Sequence, residues 1–106
     1  MVSFSTAEFF STLHADKVFL STQGINEQGE LTVPKITDAH VKRALARAGR
    51  QKFLLADKSK FGQTFLAGHG QLSDFDVVIS QSGISADVLT LLNGHCAELI
   101  LADSVE

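Results

Sequence analysis

Lys52-Phe53-Leu54-Leu55-Ala56-Asp57-Lys58-Ser59-Lys60-Phe61-Gly62 is the stretch that decides how this chain folds. Phe53 to Ala56 is a short, continuous apolar run. A run this short and uniform predicts a strand buried on both faces, the pattern of a central strand in a parallel sheet. In open α/β sheets, binding groups collect just past the carboxyl ends of the strands. Asp57, Ser59 and Lys60 stand there: an acceptor, a hydroxyl and a cation within four residues. That set suits a hydroxylated, anionic small molecule, the lysine facing the anion and the carboxylate facing hydroxyls. The same residues fit equally well a polar turn in which Asp57 bonds back to the backbone.

Upstream, Ser5-Thr6-Ala7-Glu8 reads as a capping box, with Phe4 and Phe9 as its hydrophobic staple and a helix running to about Leu13 or His14. Lys17 to Ser21 predicts a second short strand. Thr22 to Pro34 is polar, holds Gly24, Gly29 and the only proline, and predicts a long loop with a tight turn at Gln28-Gly29. Asp38 is a good N-cap for a helix over Ala39 to Ala48, whose buried face is Val41, Ala44, Leu45 and Ala48, and Gly49 reads as its C′ residue. Downstream, Gln63 to Ser73 reads as irregular and Asp76 to Ser80 as a strand. Ser85 caps a helix through Val88, Leu91 and Leu92 that Asn93-Gly94 stops, and Glu98 to Ala102 forms the last strand. The alternation of short apolar runs with helix-period segments predicts an α/β, Rossmann-like parallel sheet with flanking helices and Phe53 to Ala56 central.

Composition narrows the function classes. With 106 residues the chain is a single domain, 1–106, and its 44% hydrophobic and 20% charged content is that of a globular protein. Eight Phe and no Tyr or Trp direct aromatic mass to the core and leave little for base stacking. No apolar run reaches the roughly 18–20 residues of a bilayer span, so no membrane association is expected. The start lacks a signal-peptide pattern, and a single cysteine, Cys96, excludes an internal disulfide and a cysteine-rich zinc site, which fits a reducing cytoplasm. Cys96 itself reads as a buried hydrophobe at the start of an apolar strand. His14, His40, His69 and His95 are too scattered for a metal pattern, and no Gly-x-Ser-x-Gly elbow or dinucleotide fingerprint is present. No catalytic residue, metal or cofactor is expected.

Net charge is −3, yet seven of the nine basic residues lie between Lys42 and Lys60. Arg43, Arg47 and Arg50 read as the solvated face of a helix, and a nucleic-acid surface finds little support in a chain that is acidic overall. Right-handed crossovers would open the loops after Ser21 and after Ala56 at the same sheet edge. Lys42, one turn into the intervening helix, could then converge with Lys60 on one anionic group, helped by the helix N-terminus.

The pattern ADKVFLSTQGI…GELT…VKRAL…FLLADKSKFG…LSDFDVVIS resembles the carboxy-terminal effector domain of DeoR-family transcriptional repressors, over about Ala15 to Ala102. The most specific pieces are Ala15 to Phe19, Ala56 to Gly62, and Leu72 to Asp76. The resemblance implies a sensor of phosphorylated sugars, a homo-oligomer, and DNA binding only through an N-terminal helix-turn-helix domain absent from this chain. It also implies that these residues are a partial effector domain, lacking the first strand and its phosphate loop. The chain is similar as well to ribose-5-phosphate isomerase and NagB-type domains, in which a helix lysine and a strand ending in Asp-x-Ser-Lys correspond to Lys42 and Asp57-x-Ser59-Lys60. The isomerase's acidic motif is replaced here by Thr22-Gln23-Gly24-Ile25-Asn26, without a carboxylate. Isomerisation needs a base to move a proton between carbons, so recognition without conversion is expected. The expected ligand-binding residues are Ser21, Gln23, Gly24, Lys42, Asp57, Ser59 and Lys60. An isomerase-like enzyme and an oligomerisation module without ligand are the alternatives.

Overall fold

The computed structural model describes residues 14–95 and 98–102. In chain order the elements are β1 (Ala15–Ser21), β2 (Gly24–Ile25), β3 (Glu30–Val33), α1 (Ile36–Ala48), β4 (Gly49–Leu55), β5 (Ala67–Gln71), β6 (Val77–Gln81), α2 (Ala86–His95) and β7 (Leu99–Ala102). The expected N-terminal helix and the reading of Cys96 lie outside the described residues. Strands β1, β4, β6 and β7 form a parallel sheet in that order. Phe53 pairs with Phe19 on one side and Val77 on the other, and Leu54 with Leu20 and Val78, so the Phe53 run is interior to the sheet as its apolar character predicts.

Among the described residues the run is covered on one face only. Because strand side chains alternate, Leu20, Leu54 and Val78 point to one face and pack with Leu92 of α2 and with Leu45 of α1. The sheet is wound in one direction, β1 to β4 to β6 to β7, and right-handed crossovers then carry every connection over that same face. The opposite row is bare among the described residues: Phe19 is 56% exposed, Leu55 43% and Ile100 43%. Phe19 and Phe53 stack there with ring centroids 4.7 Å apart.

The stretch read as a long loop, Thr22 to Pro34, and the one read as irregular, Gln63 to Ser73, contain a second sheet. β2, β3 and β5 pair antiparallel, with Leu31 opposite Gly70 and Thr32 opposite Gly68. Ala67-Gly68-His69-Gly70-Gln71 carries no β-branched residue, so only its partner strand makes it extended. The turn between β2 and β3 spans Asn26 to Gly29, closed by the Gly29 N–H donating to the Asn26 carbonyl at 3.0 Å. The Asn26 Oδ1 accepts from the N–H groups of Gln28 and Glu30, and Gly29 takes φ +80, open to glycine at no steric cost.

Helix α1 starts three residues earlier than the Asp38 cap predicts. Pro34 follows β3 directly and cannot extend its ladder, so the chain turns at once into the helix with Lys35 as N-cap and Asp38 in the first turn. There Asp38 still favours the positive end of the helix dipole. Gly49 is not a left-handed C′ residue: its φ of −93 and ψ of 136 are extended, and it opens β4. A Cβ at Gly49 would lie 2.6 Å from Val18 Cγ1, so glycine here permits close approach of two strands. In α2, Ser85 Oγ accepts from the Val88 N–H at 3.3 Å, while the helix continues through Asn93-Gly94 to His95.

Candidate functional site

Three parallel strands end side by side, and a cavity of about 440 Å³ opens at their carboxyl ends. Ser21, Thr22 and Gln23 line it from β1, Leu55, Ala56, Asp57 and Lys60 from β4, and Ile79, Ser80 and Gln81 from β6. Ser21, Leu55 and Ile79 are register partners, so the cavity meets the bare face of the sheet. Its wall thus combines hydroxyls, primary amides, one carboxylate and one ammonium over an aliphatic floor.

The loop after β4 is a single 3₁₀ turn, Lys58–Lys60, capped by Asp57. Asp57 Oδ1 accepts from the Ser59 N–H at 2.9 Å and also from the Ser59 hydroxyl. The polar-turn reading therefore describes one oxygen of Asp57, and the second remains available to the cavity that Asp57 lines. The Ser59 hydroxyl, then its N–H, and the nearby Lys60 charge hold the Asp57 carboxyl below the ordinary range. It stays ionised and is a weak proton acceptor. On the far side, Ser80 Oγ donates to the Ala56 carbonyl at 2.6 Å and Gln81 Oε1 accepts from the Lys58 N–H at 3.2 Å, fixing the loop to β6.

Of the expected site residues, the structure brings Ser21, Gln23, Asp57 and Lys60 together. Gly24 lies buried in β2, where a Cβ would come within 2.5 Å of the Gln63 carbonyl oxygen. Ser59 is committed to Asp57. Lys42 is carried by α1 on the covered face, and its Nζ donates to the Ser21 carbonyl at 2.7 Å, behind the cavity wall. Burial lowers the Lys42 ammonium's pKa, partly opposed by Asp38. Thr22, Ser80 and Gln81 were not anticipated. Ser80 and Gln81 had a legible signal, being the polar residues that end an apolar run just as Ser21 and Asp57 do.

Behind Ser21 lies a buried polar cluster. His69 Nε2 is 2.8 Å from Thr22 Oγ1, and that hydroxyl lies 3.1 Å from the Thr32 carbonyl and 3.3 Å from the Gly24 carbonyl. A hydroxyl has one proton, so Thr22 donates either to the imidazole or to a carbonyl, and the His69 tautomer sets which. Burial, then the charges of Lys42 and Arg43, pull the His69 pKa down to about 4. His69 is neutral at pH 7 and ties the second sheet to the loop that carries Thr22 and Gln23. Among the described residues no group of three or more His, Cys, Asp or Glu could hold a metal ion, and no helix is long and apolar enough to cross a membrane.

A family profile described as the DeoR C terminal sensor domain matches residues 1–82. The HTH-type transcriptional repressor GlcR of Bacillus subtilis is 30% identical over 102 residues, covering 96% of this chain and 39% of that protein. YgbI of Escherichia coli, described as an uncharacterized HTH-type transcriptional regulator, is 35% identical over 100 residues, covering 92% of this chain and 38% of that protein. The glycerol-3-phosphate regulon repressor of Haemophilus influenzae is 27% identical over 99 residues, covering 93% and 38%. The chain spans 38–39% of the length of these relatives.

Proposed function

Given that this chain belongs to the family of DeoR C-terminal sensor domains, we propose that it binds a phosphorylated sugar as effector and releases it unchanged. The domain is a sensor, not a catalyst. The observation that carries the reading is the cavity at the carboxyl ends of β1, β4 and β6, where Lys60 offers a cation and Asp57, Ser21 and Gln23 offer partners for hydroxyls. A relative whose name is glycerol-3-phosphate regulon repressor supports a phosphorylated, hydroxylated effector. Catalysis finds no support in the cavity. Its only carboxylate is held ionised by Ser59, whereas a general base works best with a pKa near the operating pH.

Operator recognition belongs, in this proposal, to the part of the HTH-type relatives that this chain does not match, and residues 1–106 act as a partial effector domain. We also propose that the domain self-associates through its bare sheet face. Lys42 acts from behind the wall: its bond to the Ser21 carbonyl holds the β1 end against α1.

The test compares Lys60→Ala with Lys58→Ala by titrating the full chain with a panel of sugar phosphates. A charge-assisted bond contributes about 1.5–3 kcal/mol, so Lys60→Ala should weaken binding about tenfold to a hundredfold. Lys58 is exposed and does not line the cavity, so its removal should be nearly silent. Equal losses, or none for Lys60→Ala, would leave the Asp-x-Ser-Lys loop a structural turn. Net conversion of any bound sugar phosphate would restore the isomerase reading.

A further inference from the structure

On the covered side of the sheet, α1, β4 and β5 border a second, smaller cleft of about 270 Å³, open to solvent where Arg43, Arg47 and Asp74 are exposed. Arg43 and Arg47 line it from α1, Lys52 from β4, His69 and Gly70 from β5, with Asp74 beside them. Arg43 and Arg47 are one helical turn apart and so share a face. Lys52 alternates with Leu54 and pairs with Val18, which puts it on the face that α1 covers.

The charges here are poorly matched by the protein itself. Arg43 Nη2 donates to the Gly68 carbonyl at 2.9 Å, which anchors one nitrogen and leaves the rest of the fork. Neither the Arg47 guanidinium nor the Lys52 ammonium has a partner among the described residues. The one lining carboxylate, Asp74, has its Oδ2 taken by the Gln71 N–H at 2.9 Å, and beside the cleft Asp76 Oδ2 accepts from the Lys52 backbone N–H at 2.8 Å. Three cations therefore converge from two elements on one cleft, in a chain whose net charge is −3. Like charges lining one cleft repel, and an oxyanion between them offsets that cost. Two guanidinium forks and an ammonium match the tetrahedral oxygens of phosphate. The volume is below the roughly 300–1,000 Å³ of ordinary ligand pockets, which favours a phosphate group over a whole sugar phosphate.

We propose that the cleft of Arg43, Arg47 and Lys52 is a second anion site, separate from the cavity at the strand ends, and that it takes a phosphate group, as the free ion or on a small monoester. The site sits on the same helix as Lys42, which bonds the Ser21 carbonyl, whereas its neighbour Arg43 bonds the Gly68 carbonyl.

The experiment is a ¹⁵N NMR titration of the full chain with inorganic phosphate and, separately, methyl phosphate, at constant ionic strength kept with sodium chloride. Saturable shifts of the His69 and Gly70 amides are expected. The double variant Arg47→Ala/Lys52→Ala should weaken that binding about tenfold or more, with spectra otherwise like the parent's, while Lys60→Ala leaves it unchanged. Binding of methyl phosphate as well as the free ion would identify a monoester as an acceptable ligand. Binding of inorganic phosphate alone would identify the ion. Either supports the site. Shifts that do not saturate, or that chloride reproduces, would make the cluster a solvated face and overturn the proposal. So would shifts abolished by Lys60→Ala, which would trace them to the strand-end cavity. Perturbation of the same amides by duplex DNA, with none by either phosphate, would overturn it in favour of a polyanion surface.

Discussion

His69 is the residue on which the two halves of the domain meet, and its protonation has a measurable consequence. The unfolded imidazole takes a proton near pH 6.5, whereas the folded one does so only near 4, because of burial and the Lys42 and Arg43 charges. Between those values the unfolded chain binds more protons, so stability falls as pH falls; above about 6.5 this contribution is whole. Over the full window the loss is roughly 3 kcal/mol, at about 1.4 kcal/mol per pKa unit. His69→Gln keeps both a donor and an acceptor for Thr22 but cannot titrate. Urea denaturation from pH 7 to 4 should therefore show a shallower fall in stability for His69→Gln than for the parent. Parallel curves would mean that the imidazole is not held neutral by its surroundings. Nothing local in Ala67-Gly68-His69-Gly70 marks this residue, since its partner Thr22 stands 47 positions away. Asp57 differs: its bond to Ser59 is two residues long, and the Asp-x-Ser spacing made it readable.

At the scale of elements, the junction of α1 and β4 is the tightest seam. The helix passes into the strand with no intervening loop, and Gly49 lies against the β-branched side chain of Val18. An added methyl would sit 2.6 Å from Val18 Cγ1 and 2.8 Å from its Cβ, so the backbone of β1 or β4 must shift. Overpacking of this kind costs about 1–3 kcal/mol. Gly49→Ala should lower the urea midpoint with an unchanged slope; an unchanged midpoint would mean that the seam yields freely. A glycine after a helical pattern reads as a C-cap by default, and only the neighbouring strand shows that contact, not φ, demands it. The second sheet was hidden for a related reason. β2 has two residues and β5 is glycine-rich, so neither carries an alternating apolar pattern, and each is extended through partners on β3.

For the whole molecule, the one-directional winding of the sheet leaves Phe19, Leu55 and Ile100 on a face that no described helix covers. Contiguous exposed apolar surface of this kind marks an interaction site, and among the described residues β1 and β7 are the edges of the sheet, where backbone groups can pair. Sedimentation of the full chain should show a concentration-dependent dimer or larger species, shifted toward monomer by Phe19→Ser. A clean monomer at high concentration would defeat self-association. By itself the sequence determined the strands β1, β4, β6 and β7, the helices between them, their parallel direction and the polar residues at their carboxyl ends. These follow from local hydrophobic period and from the handedness of crossovers, both of which act over short stretches of chain. Tertiary structure alone decided the remainder. It put α1, and Lys42 with it, on the far side of the cavity wall from Lys60, because one-directional winding assigns both described crossover helices to one face. It also paired β5 with β3 and buried His69 against Thr22, contacts between distant residues that no local pattern encodes.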